Sequence, residues 1–154
     1  MTDPYAFLTL YKESEQLIAS ELEDFEERTG RMIPTQYRNF LLYHNGGRPT
    51  PNRFAILTPE GLIERKLEWF LGITGGTETD DDLEETLAAT APSLAMYYPF
   101  AVDTQAKLLL ISVEQEGATY YYDHEIWLEP KNTLQSGKLI QIASSFESFL
   151  THLY

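Results

Sequence analysis
The stretch from Tyr37 to Pro49 reads YRNFLLYHNGGRP: an apolar run, a histidine, then Asn45-Gly46-Gly47 and an arginine. Tyr37, Phe40, Leu41 and His44 fall at i, i+3, i+4 and i+7, the spacing that places four side chains on one face of a helix. Pro34 opens that helix and the glycines close it. The order of helix and glycines decides between two readings. Phosphate loops put glycines ahead of a helix so that free N–H groups meet the anion, whereas glycines behind a helix supply a left-handed cap. The stretch is therefore expected to be an amphipathic helix that buries Tyr37, Phe40 and Leu41 and ends in a glycine cap. His44 is expected to be partly buried near the C-terminal end, where the helix dipole favours a cation.

Toward the N-terminus, Asp3-Pro4 suits an N-cap and first helical residue, and Ser14 to Thr29 carries Ile18, Leu22 and Phe25 at helical spacing before Gly30 ends it. Arg53 to Leu57 and the alternating Leu67 to Ile73 read as strands on either side of the charged run Glu64-Arg65-Lys66. Beyond Gly75-Gly76, Asp81 or Asp82 can cap a helix whose first turn holds Glu84 and Glu85 and which Pro92 stops. Phe100 to Val102, KLLLISV and ATYYYD, separated by polar turns, predict a three-stranded antiparallel meander. Leu139 to Ile142 adds a strand. Ser144 with Glu147 then suits a capping box, ahead of a second i, i+3, i+4, i+7 stripe formed by Phe146, Phe149, Leu150 and Leu153. With no internal repeat or linker, residues 1–154 are expected to form one α+β domain, a mostly antiparallel twisted sheet packed with N-terminal helices and a C-terminal helix.

The composition narrows the chemistry. Without cysteine there is no disulfide framework, thiolate metal site or cysteine nucleophile, which fits a reducing, cytoplasmic setting. No signal peptide or membrane span is expected. Eleven basic and 24 acidic residues leave a net charge of −13, a sign that repels nucleic acid and anionic lipid surfaces. The excess sits in residues 67–130, with 13 acids against Lys107 alone. Between Arg28 and Arg53 the sign reverses, with Arg28, Arg31, Arg38, Arg48 and Arg53 and no acid.

Glu78 to Glu85 holds six carboxylates in eight residues but lacks the glycine turn and spaced ligands of a calcium loop, so it reads as a solvated loop and helix start. Asp103, Asp123 and His124 are the one constellation that could serve an enzyme, and a structural strand-end role competes with that reading. Tyr121 points to the opposite face of its strand from Tyr120 and Tyr122, and an exposed ring there would suit recognition. Partner-facing candidates are Glu78, Asp80, Asp81, Asp82, Glu84, Glu85, Glu114, Glu116 and Tyr121. Neither a metal nor a cofactor is expected.

Gly30, Ile33-Pro34, Tyr37, Phe40-Leu41, Asn45-Gly46-Gly47 and Pro49 follow the order of a known family. So do Trp69-Phe70 with Gly72, Tyr98-Pro99-Phe100-Ala101 with Asp103, Tyr122-Asp123-His124, and Ser145-Phe146 with Phe149-Leu150. The chain resembles the SUKH superfamily, in its branch related to fungal cell-wall-synthesis regulators. One departure is Thr104-Gln105-Ala106-Lys107, where the family commonly has a glycine-asparagine pair. The resemblance implies an α+β fold without recognised catalytic residues, used in bacteria mainly for immunity proteins that neutralise a cognate toxin, often a nuclease. Elsewhere it implies intracellular regulatory or scaffold modules. The expected partner is thus a protein, toxin or other, bound by an acidic surface, with a monomer favoured.

Overall fold
The computed structural model describes residues 2–58, 61–75, 81–90, 94–114, 117–122 and 139–154. In chain order the elements are β1 (Thr9–Tyr11), α1 (Ala19–Thr29), α2 (Thr35–Tyr43), β2 (Arg48–Thr50), β3 (Arg53–Thr58), β4 (Gly61–Phe70), α3 (Leu83–Ala89), β5 (Tyr97–Asp103), β6 (Leu108–Ser112), β7 (Thr119–Tyr122), β8 (Leu139–Ala143) and α4 (Phe146–Thr151). Six strands form one antiparallel sheet in the order β3-β4-β5-β6-β7-β8, and β1 pairs with β2. This is the α+β architecture expected from the periodicities.

The two apolar stripes make the core. From α2, Tyr37, Phe40 and Leu41 are buried, and from α4, Phe146, Phe149 and Leu150. Their rings interlock with the sheet: Phe40 lies 5.0 Å from Phe70, Phe146 lies 5.2 Å from Phe100, and Tyr37 lies 5.4 Å from Phe146. Such edge and tilted contacts add to the burial term because ring edges meet ring faces. The Tyr37 hydroxyl donates to the Leu71 carbonyl, so this fully buried ring carries no unsatisfied polar atom.

Several boundaries differ from the sequence reading, each for a visible reason. Asp3-Pro4 caps a turn, with Asp3 Oδ1 accepting the Tyr5 N–H at 2.8 Å, and the chain then enters β1. Helix α1 starts at Ala19 and not at Ser14, because the preceding residues are held extended by Asn45: the Ser14 N–H donates to the Asn45 carbonyl at 3.0 Å. Strand β4 begins at Gly61 and includes Glu64-Arg65-Lys66, of which Glu64 and Lys66 face solvent while Arg65 turns to the other face, toward Tyr121, all in register with β3. Helix α4 is capped by Ser145, whose Oγ accepts the Ser148 N–H at 3.0 Å, so the cap lies one residue beyond Ser144.

The glycines after α2 are not its left-handed cap. The helix ends at His44 in extended conformation (φ −141°), whereas Gly30 does cap α1 at φ +68°. Gly46 serves a close approach: a Cβ there would stand 2.9 Å from the Phe70 carbonyl oxygen. Asn45, only 2% exposed, completes the junction. Its Oδ1 accepts the Ile73 N–H at 2.8 Å, and its Nδ2 donates to the carbonyls of Ile73 at 2.9 Å and Glu15 at 2.8 Å. The side-chain amide thus behaves as one more strand residue, tying the N-terminal segment, α2 and the end of β4 together.

Two stability outcomes follow. Asn45→Ala leaves three backbone groups unpaired and is expected to cost about 3 kcal/mol in urea unfolding. Ala106 occupies the turn after Asp103 at φ +63°, a conformation that costs a residue with a Cβ roughly 1 kcal/mol, so Ala106→Gly is expected to stabilise by about that amount.

Candidate functional site
The acidic run divides once the chain is folded. Asp81 and Asp82 are buried, at 3% and 4% exposure, which corrects their expected surface role. Asp82 caps α3, with Oδ2 accepting the Glu85 N–H at 2.9 Å, while its Oδ1 accepts the Thr74 hydroxyl at 2.7 Å. The Asp81 carbonyl accepts the Gly72 N–H at 2.9 Å. A carboxylate at a helix N-terminus is stabilised by the free N–H groups and the dipole, so these acids build the fold around Gly72. Glu84 is half-exposed, and Glu85 and Glu114 are exposed. Glu84 and Glu85 share α3, whereas Glu114 lies on the β6–β7 turn. That turn abuts Gln36 and the start of α4 at Gly117. Glu78, Asp80 and Glu116 lie outside the described residues.

Tyr121 is also corrected. It lies on the opposite face of β7 from Tyr120 and Tyr122, as the alternation implied, but that face is the core: the ring is 4% exposed and its hydroxyl donates to Asp103 Oδ2 at 2.7 Å. Burial, followed by the Asp103 contact, pushes the phenol pKa well above its ordinary value, while Arg65 pulls the other way. Asp103 Oδ1 accepts the N–H groups of Gln105 and Lys107, both at 2.9 Å. Both Asp103 oxygens are therefore engaged, one by the backbone of the turn and the other by Tyr121, which is the structural strand-end role. Asp123 and His124 lie outside the described residues. Among those described, no cluster of three or more histidines and carboxylates has metal-binding geometry.

The arginines of the 28–53 segment do not make a basic patch. Arg28 forks onto Glu84 at 3.0 and 3.1 Å, which raises its pKa above the usual value. Arg31 donates to the carbonyls of Tyr97 at 2.8 Å and Ala95 at 3.2 Å. Arg38 meets Glu26 at 3.5 Å and Arg53 meets Glu64 at 3.7 Å. Arg48 donates to Glu68 at 2.8 Å, with its guanidinium 4.4 Å from the Trp69 ring centroid, so it braces β2 against β4 while remaining half-exposed.

The Arg28–Glu84 pair sets α1 beside α3 and brings in acids that the sequence reading passed over. A cleft of about 670 Å³ lies between Lys12–Leu17, α1 and Ile73–Gly75. Exposed Glu15, Glu21 and Asp24 line it. The signal for them is the i, i+3, i+7 spacing of Glu21, Asp24 and Arg28, which is weaker than the dense run Glu78 to Glu85.

A family model described as SMI1 / KNR4 family (SUKH-1) matches residues 18–152. No curated protein matches the chain.

The division of the acidic run has a measurable consequence. Asp82→Ala removes the α3 cap and its Thr74 contact and is expected to cost about 2 kcal/mol in thermal or urea unfolding. Glu85→Gln, with its side chain in solvent, is expected to stay within about 0.5 kcal/mol of the wild type.

Proposed function
The chain belongs to the SMI1 / KNR4 family (SUKH-1), and from that membership we propose that it is an immunity protein that binds and neutralises a cognate toxin. The partner surface in this reading is the acidic rim formed by Glu15, Glu21, Asp24, Glu84 and Glu85, with Glu114 at a second point. One observation carries it: each arginine of the 28–53 segment is engaged by the protein's own carboxylates, carbonyls and rings, while acids on α1 and α3 stay exposed. The folded surface thus keeps the sign of the whole chain where a partner would meet it.

A nuclease toxin suits this surface. Such an enzyme needs a basic face to hold nucleic acid, and an acidic protein of complementary potential can cover it. Complementary fields accelerate encounter and reject partners of like charge, so the expected association is fast and salt-sensitive.

The test is co-expression with a toxin gene lying beside this one, scored for growth and then for a purified complex. Rescue with a complex supports the proposal, and rescue without one argues against direct neutralisation. A complex with no rescue favours a regulatory or scaffold role. In stopped-flow mixing with that toxin, the combined variant Glu15→Gln, Glu21→Gln, Asp24→Asn and Glu85→Gln is expected to associate roughly tenfold more slowly at low salt. The difference is expected to shrink at high salt, as screening removes the long-range field. Equal rates for wild type and variant at low salt would sink the electrostatic account.

A further inference from the structure
Residues 2–17 form an arm laid over the end of α2. The arm gives Tyr5, Leu8 and Leu17 to the core, pairs β1 with β2, and supplies Lys12–Glu15 and Leu17 to one wall of the cleft. Where it crosses α2 it meets His44, whose side chain is 16% exposed. Nε2 lies 2.6 Å from Asp3 Oδ2, and Nδ1 lies 3.0 Å from Glu13 Oε1. The ring is therefore held between the two ends of the arm.

Ionised carboxylates only accept hydrogen bonds, so both contacts hold together only when both ring nitrogens carry a proton. A neutral imidazole has one N–H and turns a bare lone pair toward the other carboxylate. We infer that His44 is a proton-operated clasp: its imidazolium fastens Asp3 and Glu13 to the end of α2, and loss of the proton releases one of them and loosens that wall of the cleft. Protonation closes the clasp, so the arm is held while both ring nitrogens carry a proton and loosens when one is lost at higher pH.

The other groups packed there leave the switching to His44. Tyr5, on the arm, has its ring 6.3 Å from the imidazole. Burial first, then Glu147 of α4, Tyr43 of α2 and Asp3, push its phenol up to about 12, so it stays neutral where histidine titrates. Phe40, 5.8 Å away, carries no charge. The apolar contacts of Tyr5, Leu8 and Leu17 remain in either state. Opening is thus a local release, short of global unfolding.

Amide hydrogen exchange on the full chain between about pH 5 and pH 8 tests this, with protection of the β1 and Ser14 amides divided by that of the β6 amides. The ratio cancels the intrinsic pH dependence of exchange. It is expected to fall roughly tenfold across the range, the scale of one charge-assisted hydrogen bond. His44→Gln is expected to keep the arm loose at every pH. Asp3→Asn supplies an amide N–H to the unprotonated nitrogen and is expected to keep the arm held at the upper end. A constant ratio in the wild type, a pH dependence that survives in His44→Gln, or an Asp3→Asn chain that loosens like the wild type each overturns the inference. No partner enters the measurement, so it stands or falls apart from toxin binding.

Discussion

The fold hangs on the side-chain amide of Asn45. An amide has the donor and acceptor pattern of a peptide group, and here it pairs with both the N–H and the carbonyl of Ile73 while reaching Glu15 with its second hydrogen. Because Asn45 itself is buried, its amide would otherwise lose its water without a replacement. The consequence spreads along the chain. Ile73 and Gly72 are held beside α2, Gly72 then bonds to Asp81 and Leu83, and α3 starts from that point. Close approach is possible only because Gly46 and Gly72 lack side chains; a Cβ at Gly72 would stand 2.7 Å from the Asn45 carbonyl oxygen. The asparagine-glycine-glycine run is thus a three-way joint.

That joint also arranges the charge. Once α3 is fixed, Glu84 meets Arg28, and α1 turns Glu21 and Asp24 toward the cleft. The five arginines that share the acid-free stretch 28–53 are dispersed to separate partners on α1, β4, α3 and the β5 approach. A block that could have opposed an acidic surface is neutralised within the fold. The field a partner meets is set by the acids left over, among them Glu21 and Asp24 of α1 and Glu85 of α3, which are far apart in sequence.

The differences between reading and structure share one cause. Asp81, Asp82 and Tyr121 looked like surface residues because acids and tyrosines usually find water or partners there. Each is instead a buried group with a specific hydrogen bond, and burial of this kind depends on what arrives from elsewhere: Gly72 and Thr74 for the aspartates, Asp103 for the tyrosine. The start of α1 at Ala19 has the same cause. Local propensity allowed a helix from Ser14, but the bonds to Asn45, some thirty residues away, hold the backbone extended. His44, which had no visible partner in sequence, has two, both supplied by the N-terminal arm.

The sequence by itself determined the α+β class, the stripes of α2 and α4, the meander of β5 to β7 and the family likeness. The first three rest on period and turn chemistry, which are properties of neighbours along the chain, and the likeness rests on the order of motifs. Tertiary structure alone decided which acids are structural and which are exposed, where the arginines go, and that His44 sits between two carboxylates. Those outcomes depend on contacts between distant segments, and a pattern of spacing carries no information about which distant group will be within reach.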